Sequence, residues 1–242
     1  MVNFIILLIL HFIGDFYLQT SKIARCKNAQ TTTNCEGCNN CNNKHYFNYK
    51  YIFIHTLLYV CPFLFLFHIT EWTHALMIIA ILFVSHNAVD IISCCLNKKF
   101  KQTLVFIADQ LLHVLILLLV HKSFDYNSTF SEYLSETKLI LAFLTLTIPS
   151  SVFINKIFQD LFPKAEQSKV FDVGSIIGIL ERILIFIFAC FEDFAAIAII
   201  VTVKTWARSS DLKEDKINFR DKYLLGTLAS MVLALISFLI YK

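Results

Sequence analysis

The sequence predicts an all-α, polytopic bundle of membrane-spanning helices, and three observations carry that prediction. Of 242 residues, 57% are hydrophobic and only 16% charged, where a soluble domain has roughly 25% charged. Mean hydropathy is +0.65, and several apolar runs approach the roughly 20 residues that cross a bilayer. The Lys and Arg residues also alternate from loop to loop, as they do when every second loop faces the cytoplasm.

Taken in order, the apolar runs give eight candidate spans, centred near Leu10, Tyr59, Phe83, Leu112, Leu146, Leu184, Ile199 and Leu233. The first carries His11 and Asp15 and lacks a basic leader and a small-residue cleavage motif, so it reads as a span and not a cleavable signal. A Cys- and Asn-rich polar loop, 21–50, follows it. Spans two and three are joined tightly through Glu71–His74 and form a helical hairpin. Pro149 near the end of span five marks a kink or a stop. Segment 155–173 reads as amphipathic, with Ile157, Phe158, Leu161 and Phe162 apolar. The seventh span, about Phe194 to Trp206, is the shortest.

The basic residues divide the loops. Loop one holds Lys22, Arg25, Lys27, Lys44 and Lys50, and loop three Lys98, Lys99 and Lys101. Loop five holds Lys156, Lys164 and Lys169, and loop seven Lys204, Arg208, Lys213, Lys216, Arg220 and Lys222. The fourth loop has only Lys122 and Lys138, and the second and sixth have none. The odd loops are therefore expected on the cytoplasmic side and both termini outside. The chain divides into a four-helix half, 1–120, and a second four-helix half, 121–242.

The first half carries the chemistry. Its spans hold His11 and Asp15, then His55, then His86 and Asp90, then Asp109 and His113. Three of these are i, i+4 pairs, which share one helix face about a turn apart. At about 1.5 Å per residue, the expected topology puts all seven in a slab of roughly 10 Å in the cytoplasmic half of the membrane. An aspartate near mid-span costs on the order of 2.5–3.5 kcal/mol on insertion scales, and a divalent cation would compensate. Imidazole with carboxylate suits Zn²⁺ first, with Mn²⁺ or Fe²⁺ as alternatives. Seven donors exceed one tetrahedral shell. Either two ions bind, or some aspartates orient His or act as base. Gln19, Ser85, Asn87 and Gln110 are the expected outer partners. The competing reading is that His–Asp pairs simply hydrogen-bond the helices together or relay protons.

The pattern His11-x3-Asp15-x3-Gln19, His55, His86-x3-Asp90 and Asp109-Gln110-x2-His113 resembles an uncharacterised family of bacterial integral membrane proteins, DUF3307. In the second half Gly174-x2-Ile177-Gly178-x-Leu180-Glu181-Arg182, Lys204-x2-Ala207-Arg208 and Tyr223-x2-Gly226-Thr227-x2-Ser230 fit it too, so the resemblance runs over nearly the whole chain. It implies a multi-pass protein of the bacterial cytoplasmic membrane and names no reaction. The Cys-rich loop departs from it.

Other residues carry weaker signals. Mid-span Glu181 and Arg182 are read either as a structural pair or as site residues, the guanidinium suiting a phosphate or carboxylate. Lys204 and Arg208 are either anchors at the cytoplasmic face or contacts to an anionic headgroup. Cys26, Cys35, Cys38 and Cys41 have spacing that can hold a second, structural zinc, with His45 nearby. Asn127-Ser-Thr129 matches a glycosylation acceptor and carries little weight.

Three functions follow. The leading one is an intramembrane metal-dependent hydrolase of a lipid or phosphate-containing substrate. In it Asp15, Asp90 or Asp109 is the base, Glu181 and Arg182 assist, and Arg182, Lys204 or Arg208 holds the substrate. The second is a divalent-cation or proton transporter or sensor. The third is a scaffold with a structural metal. Membrane lipids are the expected partner and a homo-oligomer is compatible with the sequence. No soluble basic domain points to nucleic acid.

Overall fold

The computed structural model describes residues 2–27, 48–97, 99–127, 130–162, 173–207, 209 and 219–242, which are almost wholly helical, with no strand among them. All eight expected span centres fall in helices. Five segments are long and apolar enough to cross a membrane: Tyr49–His68, Trp72–Leu96, Gln102–Ser123, Ser131–Leu161 and Arg220–Tyr241. Val2–Tyr17 and Phe194–Ala207 are apolar but shorter. The chain forms two compact units, Met1–Thr137 and Lys138–Lys242.

The first unit is built from α1 (Val2–Phe12) with a π-helical extension (Ile13–Tyr17), the short α2 (Ser21–Lys27), α3 (Tyr49–Val60) with a 3₁₀ extension (Cys61–His68), α4 (Trp72–Leu96) and α5 (Gln102–Ser123). Its polarity is inverted relative to a soluble bundle. Leu57, Leu64, Leu76, Met77, Ile81, Val84, Leu111 and Leu119 face outward. His11, Asp15, His55, His86, Asp90 and His113 are buried. Such apolar helices hide their few polar groups from a hydrocarbon surround. Leu7, Tyr59, Phe63, Leu66, Ile78, Leu82 and Leu117 fill the rest of the interior. At the far end from α2, Thr70 donates to the Asp125 carbonyl at 2.6 Å and the Asn127 amide to the Ile69 carbonyl at 2.8 Å, tying the ends of two helices together. There the Tyr126 phenol is pushed up to about 12 by burial.

Two local departures from α geometry shape the interior. Pro62 has no amide to continue the α3 ladder, and the chain tightens into 3₁₀ turns from Cys61. In α1 the Leu18 amide bonds the Ile13 carbonyl, five residues back, at 3.0 Å. This π turn inserts a residue into the helical repeat and contains Asp15. Gly14 within it lies against α3: a Cβ there would meet the Tyr59 carbonyl oxygen at 2.5 Å and the Tyr59 Cα at 3.0 Å. The glycine is thus required by close backbone approach.

The second unit contains α6 (Leu134–Leu146, whose first turn belongs to the first unit), α7 (Ile148–Leu161), α8 (Val173–Cys190), α9 (Phe194–Ala207) and α10 (Phe219–Tyr241). Ala142, Leu146, Ile185, Phe186, Ala189, Ile197 and Ala234 form its core. As Pro149 predicts, the fifth apolar run breaks, at Thr147 (φ −93°, ψ −103°). Pro149 offers no amide to the Thr145 carbonyl, and the Ser150 hydroxyl takes that place at 2.6 Å. Arg182 caps the rest of the break, donating through Nε to the Leu146 carbonyl at 2.5 Å and through Nη2 to the Thr147 carbonyl at 3.3 Å and Ser151 Oγ at 2.7 Å. The expected amphipathic segment 155–173 therefore begins inside α7, a helix continuous with the fifth apolar run, and residues 163–172 lie outside the described residues.

Replacing Gly14 with Ala is expected to force α1 off α3 and to cost about 1–3 kcal/mol, the usual penalty of overpacking. Thermal unfolding in detergent measures it. An unchanged midpoint would contradict the close approach.

Candidate metal centre

Four helices place the seven residues of the centre. α1 supplies His11, and its π turn swings Asp15 inward. α3 supplies His55, α4 supplies His86 and Asp90, and α5 supplies Asp109 and His113. Neighbouring helices run antiparallel, so the histidines form one tier and the carboxylates another, about a turn nearer to α2. Ring centroids in the histidine tier are 5.1 Å apart for His55 and His86, 4.5 Å for His86 and His113, and 5.3 Å for His11 and His113. Asp109 is the least buried member, its side chain 13% exposed. Tyr59 stacks flat on His86 with centroids 3.7 Å apart and planes 4° from parallel, which fixes that ring's orientation.

Three donor atoms lie together with metal-site spacing, and a fourth lies close to two of them. His55 Nε2 is 3.1 Å from His86 Nε2 and 3.1 Å from Asp15 Oδ1. His86 Nε2 is 3.9 Å from Asp15 Oδ1. Asp90 Oδ2 is 3.7 Å from each imidazole nitrogen and has no hydrogen-bond partner among the described residues. Ligands held about 2.0–2.1 Å from a tetrahedral metal lie roughly 3.3 Å from one another. Asp15, His55 and His86 therefore fit a metal ion, and Asp90 turns an unpartnered oxygen to the same place. A second group, His11, Asp15 and His113, also has ligand atoms within 4.8 Å of one another and shares Asp15 with the first.

The two groups differ in how far their donors are already engaged. His11 is held at both ring nitrogens, by the Tyr59 hydroxyl and the Gln110 side-chain carbonyl, each at 3.3 Å. Gln110 Nε2 donates to Asp15 Oδ2 at 2.9 Å and to Asp109 Oδ2 at 3.1 Å, binding the carboxylate tier together. Asp109 Oδ1 accepts a hydrogen bond from Ser93 at 2.5 Å, and Asp109 Oδ2 faces His113 Nδ1 at 3.6 Å. In the second group His11 is thus engaged, whereas neither ring nitrogen of His113 has a hydrogen-bond partner among the described residues.

Lys27 closes the carboxylate tier. It sits at the end of α2, and its Nζ reaches Asp90 Oδ1 at 2.6 Å. Burial disfavours the ammonium, but Asp90 first, then Asp15 and Asp109, outweigh it and hold Lys27 above the ordinary lysine value. The pair therefore contributes fully at neutral pH and is lost only as pH rises beyond the lysine range. Three carboxylates face one ammonium in this tier, an excess of negative charge that a divalent cation would offset.

Of the outer partners expected from sequence, Gln110 belongs to the centre. Asn87 donates to Thr56 Oγ1 at 3.3 Å, and Ser85 bonds its own helix at the Leu82 carbonyl. Lys27, Tyr59 and Ser93 were not singled out by sequence reasoning. In the second unit Glu181 pairs with Lys204 of α9 at 2.5 Å and not with Arg182. Arg182 is buried against carbonyls and hydroxyls, including Ser230 Oγ at 3.3 Å. Cys26 is buried on α2 and forms no disulfide among the described residues. Cys35, Cys38, Cys41, His45 and Arg208 lie outside the described residues.

Lys27→Met is expected to destabilise the metal-free protein by about 3–5 kcal/mol, because it strands Asp90 in the interior. Adding Asp90→Asn should recover part of that loss. Denaturant unfolding in detergent reads both, and no loss in the single variant would mean that the pair does not carry the charge of Asp90.

No curated protein and no solved structure matches the chain. A family model described as a protein of unknown function, DUF3307, matches residues 3–141. That stretch contains all seven His and Asp residues of the centre, and the second-half motifs from Gly174 to Ser230 lie beyond it. The match covers more than half of the chain, and the protein belongs to the DUF3307 family.

Proposed function

We propose that this protein is an intramembrane metalloprotein that hydrolyses a lipid or phosphate-containing substrate, with one divalent ion held by His55, His86, Asp15 and Asp90. One observation carries the reading: three buried donors from three helices, Asp15, His55 and His86, lie with metal-site spacing, and Asp90 Oδ2 lies 3.7 Å from both imidazole nitrogens. Zn²⁺ suits this donor set best, and Mn²⁺ or Fe²⁺ are the alternatives. The apolar helices and the alternation of basic loops support a multi-pass protein of the bacterial cytoplasmic membrane, with eight spans and both termini outside.

The bound ion would supply an activated water and a Lewis acid for an ester or phosphoester. The chain's own residues do the rest. Tyr59 stacks on His86 and holds it as a ligand. Gln110 fixes Asp15 and Asp109 relative to each other. Asp109 and His113 form the base pair that takes a proton from the nucleophile and returns it to the leaving group. Phe63, Leu66 and Leu82 keep bulk water from the far side of the centre.

A divalent-cation carrier or sensor is the second reading. The observation favouring it is that Asp90 faces both Lys27 and the donor cluster, so the ammonium can replace a departing ion.

Elemental analysis of detergent-purified protein tests the site. About one equivalent of transition metal is expected in the wild type and in Cys35→Ser/Cys38→Ser, and none in His55→Ala/His86→Ala. Retention of metal by the histidine variant, or its absence from a folded wild type, would overturn the reading. Asp109→Asn is expected to keep the metal and to lower turnover of phosphoester or acyl-ester lipids by roughly 10²–10⁴-fold. Metal that exchanges freely without turnover would favour the carrier, and inert metal a structural scaffold.

A further inference from the structure

The second unit contains two hollows that meet at the Glu181–Lys204 ion pair, and their walls differ in kind. One, of about 280 Å³, has charged and hydroxyl-bearing side chains among its walls. Glu181, Arg182, Lys204, Lys222, Tyr223 and Thr227 all contribute to it. The other, of about 460 Å³, is apolar apart from that pair and lies between α8 and α9, against Ile177, Ile199, Ile200, Val203 and Ala207.

The first hollow is cationic. Three cations, Arg182, Lys204 and Lys222, stand against one carboxylate, Glu181. That carboxylate is spent on Lys204, 2.5 Å away. The partners of Arg182 among the described residues are two carbonyls and two hydroxyls, all neutral, so its charge is solvated but not cancelled. Lys222 Nζ lies 5.2 Å over the Phe162 ring, at the mouth of the hollow. Thr227 Oγ1 is buried without a hydrogen-bond partner among the described residues. The walls come from α7, the first half of α8, the end of α9 and the first half of α10. Uncancelled positive charge in a partly buried, hydroxyl-lined hollow calls for a phosphate or carboxylate. An apolar hollow adjoining it calls for a hydrocarbon chain attached to that anion.

We propose that the second unit binds one anionic phospholipid, with its phosphate beside Lys204 and Lys222 and an acyl chain in the hollow between α8 and α9. The site is independent of the metal centre and stands or falls separately from it.

Trp206, exposed at the end of α9, reports on the lipid once the other tryptophan is removed by Trp72→Phe. The full-length protein is placed in vesicles of neutral lipid with increasing fractions of chain-brominated phosphatidylglycerol or phosphatidylcholine, and quenching of Trp206 is followed. The anionic lipid is expected to quench at a several-fold lower mole fraction. Lys222→Gln should weaken that preference by roughly five-fold, the effect of one basic residue near an anionic headgroup. Arg220→Gln, two positions before Lys222, outside the hollow and exposed, should leave it unchanged. Equal quenching by the two lipids would overturn the proposal, and so would equal effects of Arg220→Gln and Lys222→Gln, which would mean diffuse surface attraction. Displacement by inorganic phosphate at matched ionic strength would also overturn it, because the site would then recognise the free anion and not the lipid.

Discussion

Three carboxylates lie inside a bundle whose outer faces are leucine, isoleucine and phenylalanine. Water is remote from them, and each would be expensive in hydrocarbon if left alone. The first unit answers this with Lys27 on Asp90, Gln110 between Asp15 and Asp109, and Ser93 on Asp109. These contacts solvate the carboxylates but cancel only one of three charges. Asp90 Oδ2 remains unpartnered among the described residues, and it faces two imidazole nitrogens. A purely structural polar network has no use for an acceptor aimed at nitrogens that are themselves 3.1 Å apart. A cation between them satisfies all of these groups at once.

That electrostatic demand explains the irregular backbone around the centre. A straight α1 would carry His11 and Asp15 on one stripe. The π turn moves Asp15 to where it can face His55 on α3 and Gln110 on α5 together. It can do so only because Gly14 lets the two backbones touch at Tyr59. Tyr59 then serves twice, stacking on His86 and hydrogen-bonding His11. Packing and donor geometry are one arrangement here, so a change in either disturbs the other.

Much of this was legible in the sequence, for a physical reason. A His or Asp in an apolar run has no innocent explanation in hydrocarbon, so the seven residues stood out, and the i, i+4 spacing with alternating helix direction brought them to one level. Gln110 was legible because it adjoins Asp109 in a span. Lys27 was not: it looked like one more basic residue of a cytoplasmic loop, and only the folding of α2 back onto α4 brings it to Asp90. Tyr59 and Ser93 were hidden because tyrosine and serine are cheap anywhere in a helix. The π turn leaves no mark beyond a glycine. The break at Pro149 was readable, and beyond it Asn155, Lys156 and Asp160 interrupt the apolar run within α7.

The second unit meets the same constraint with the opposite sign. Arg182 was a candidate for holding substrate because a mid-span guanidinium needs an anion. Instead it is engaged at the helix break beside Pro149, donating to the Leu146 and Thr147 carbonyls. A broken helix exposes acceptors and an arginine is all donors, so each resolves the other's deficit in hydrogen bonds. The charge is a separate matter: carbonyl dipoles stabilise a cation without neutralising it. Glu181, adjacent in sequence, points to the next face of α8 and is taken by Lys204. The hydrogen-bonding problem of Arg182 is thus closed within the helices while its electrostatic problem stays open, and that remaining positive charge, beside Lys222, sets the sign of whatever the hollow accepts.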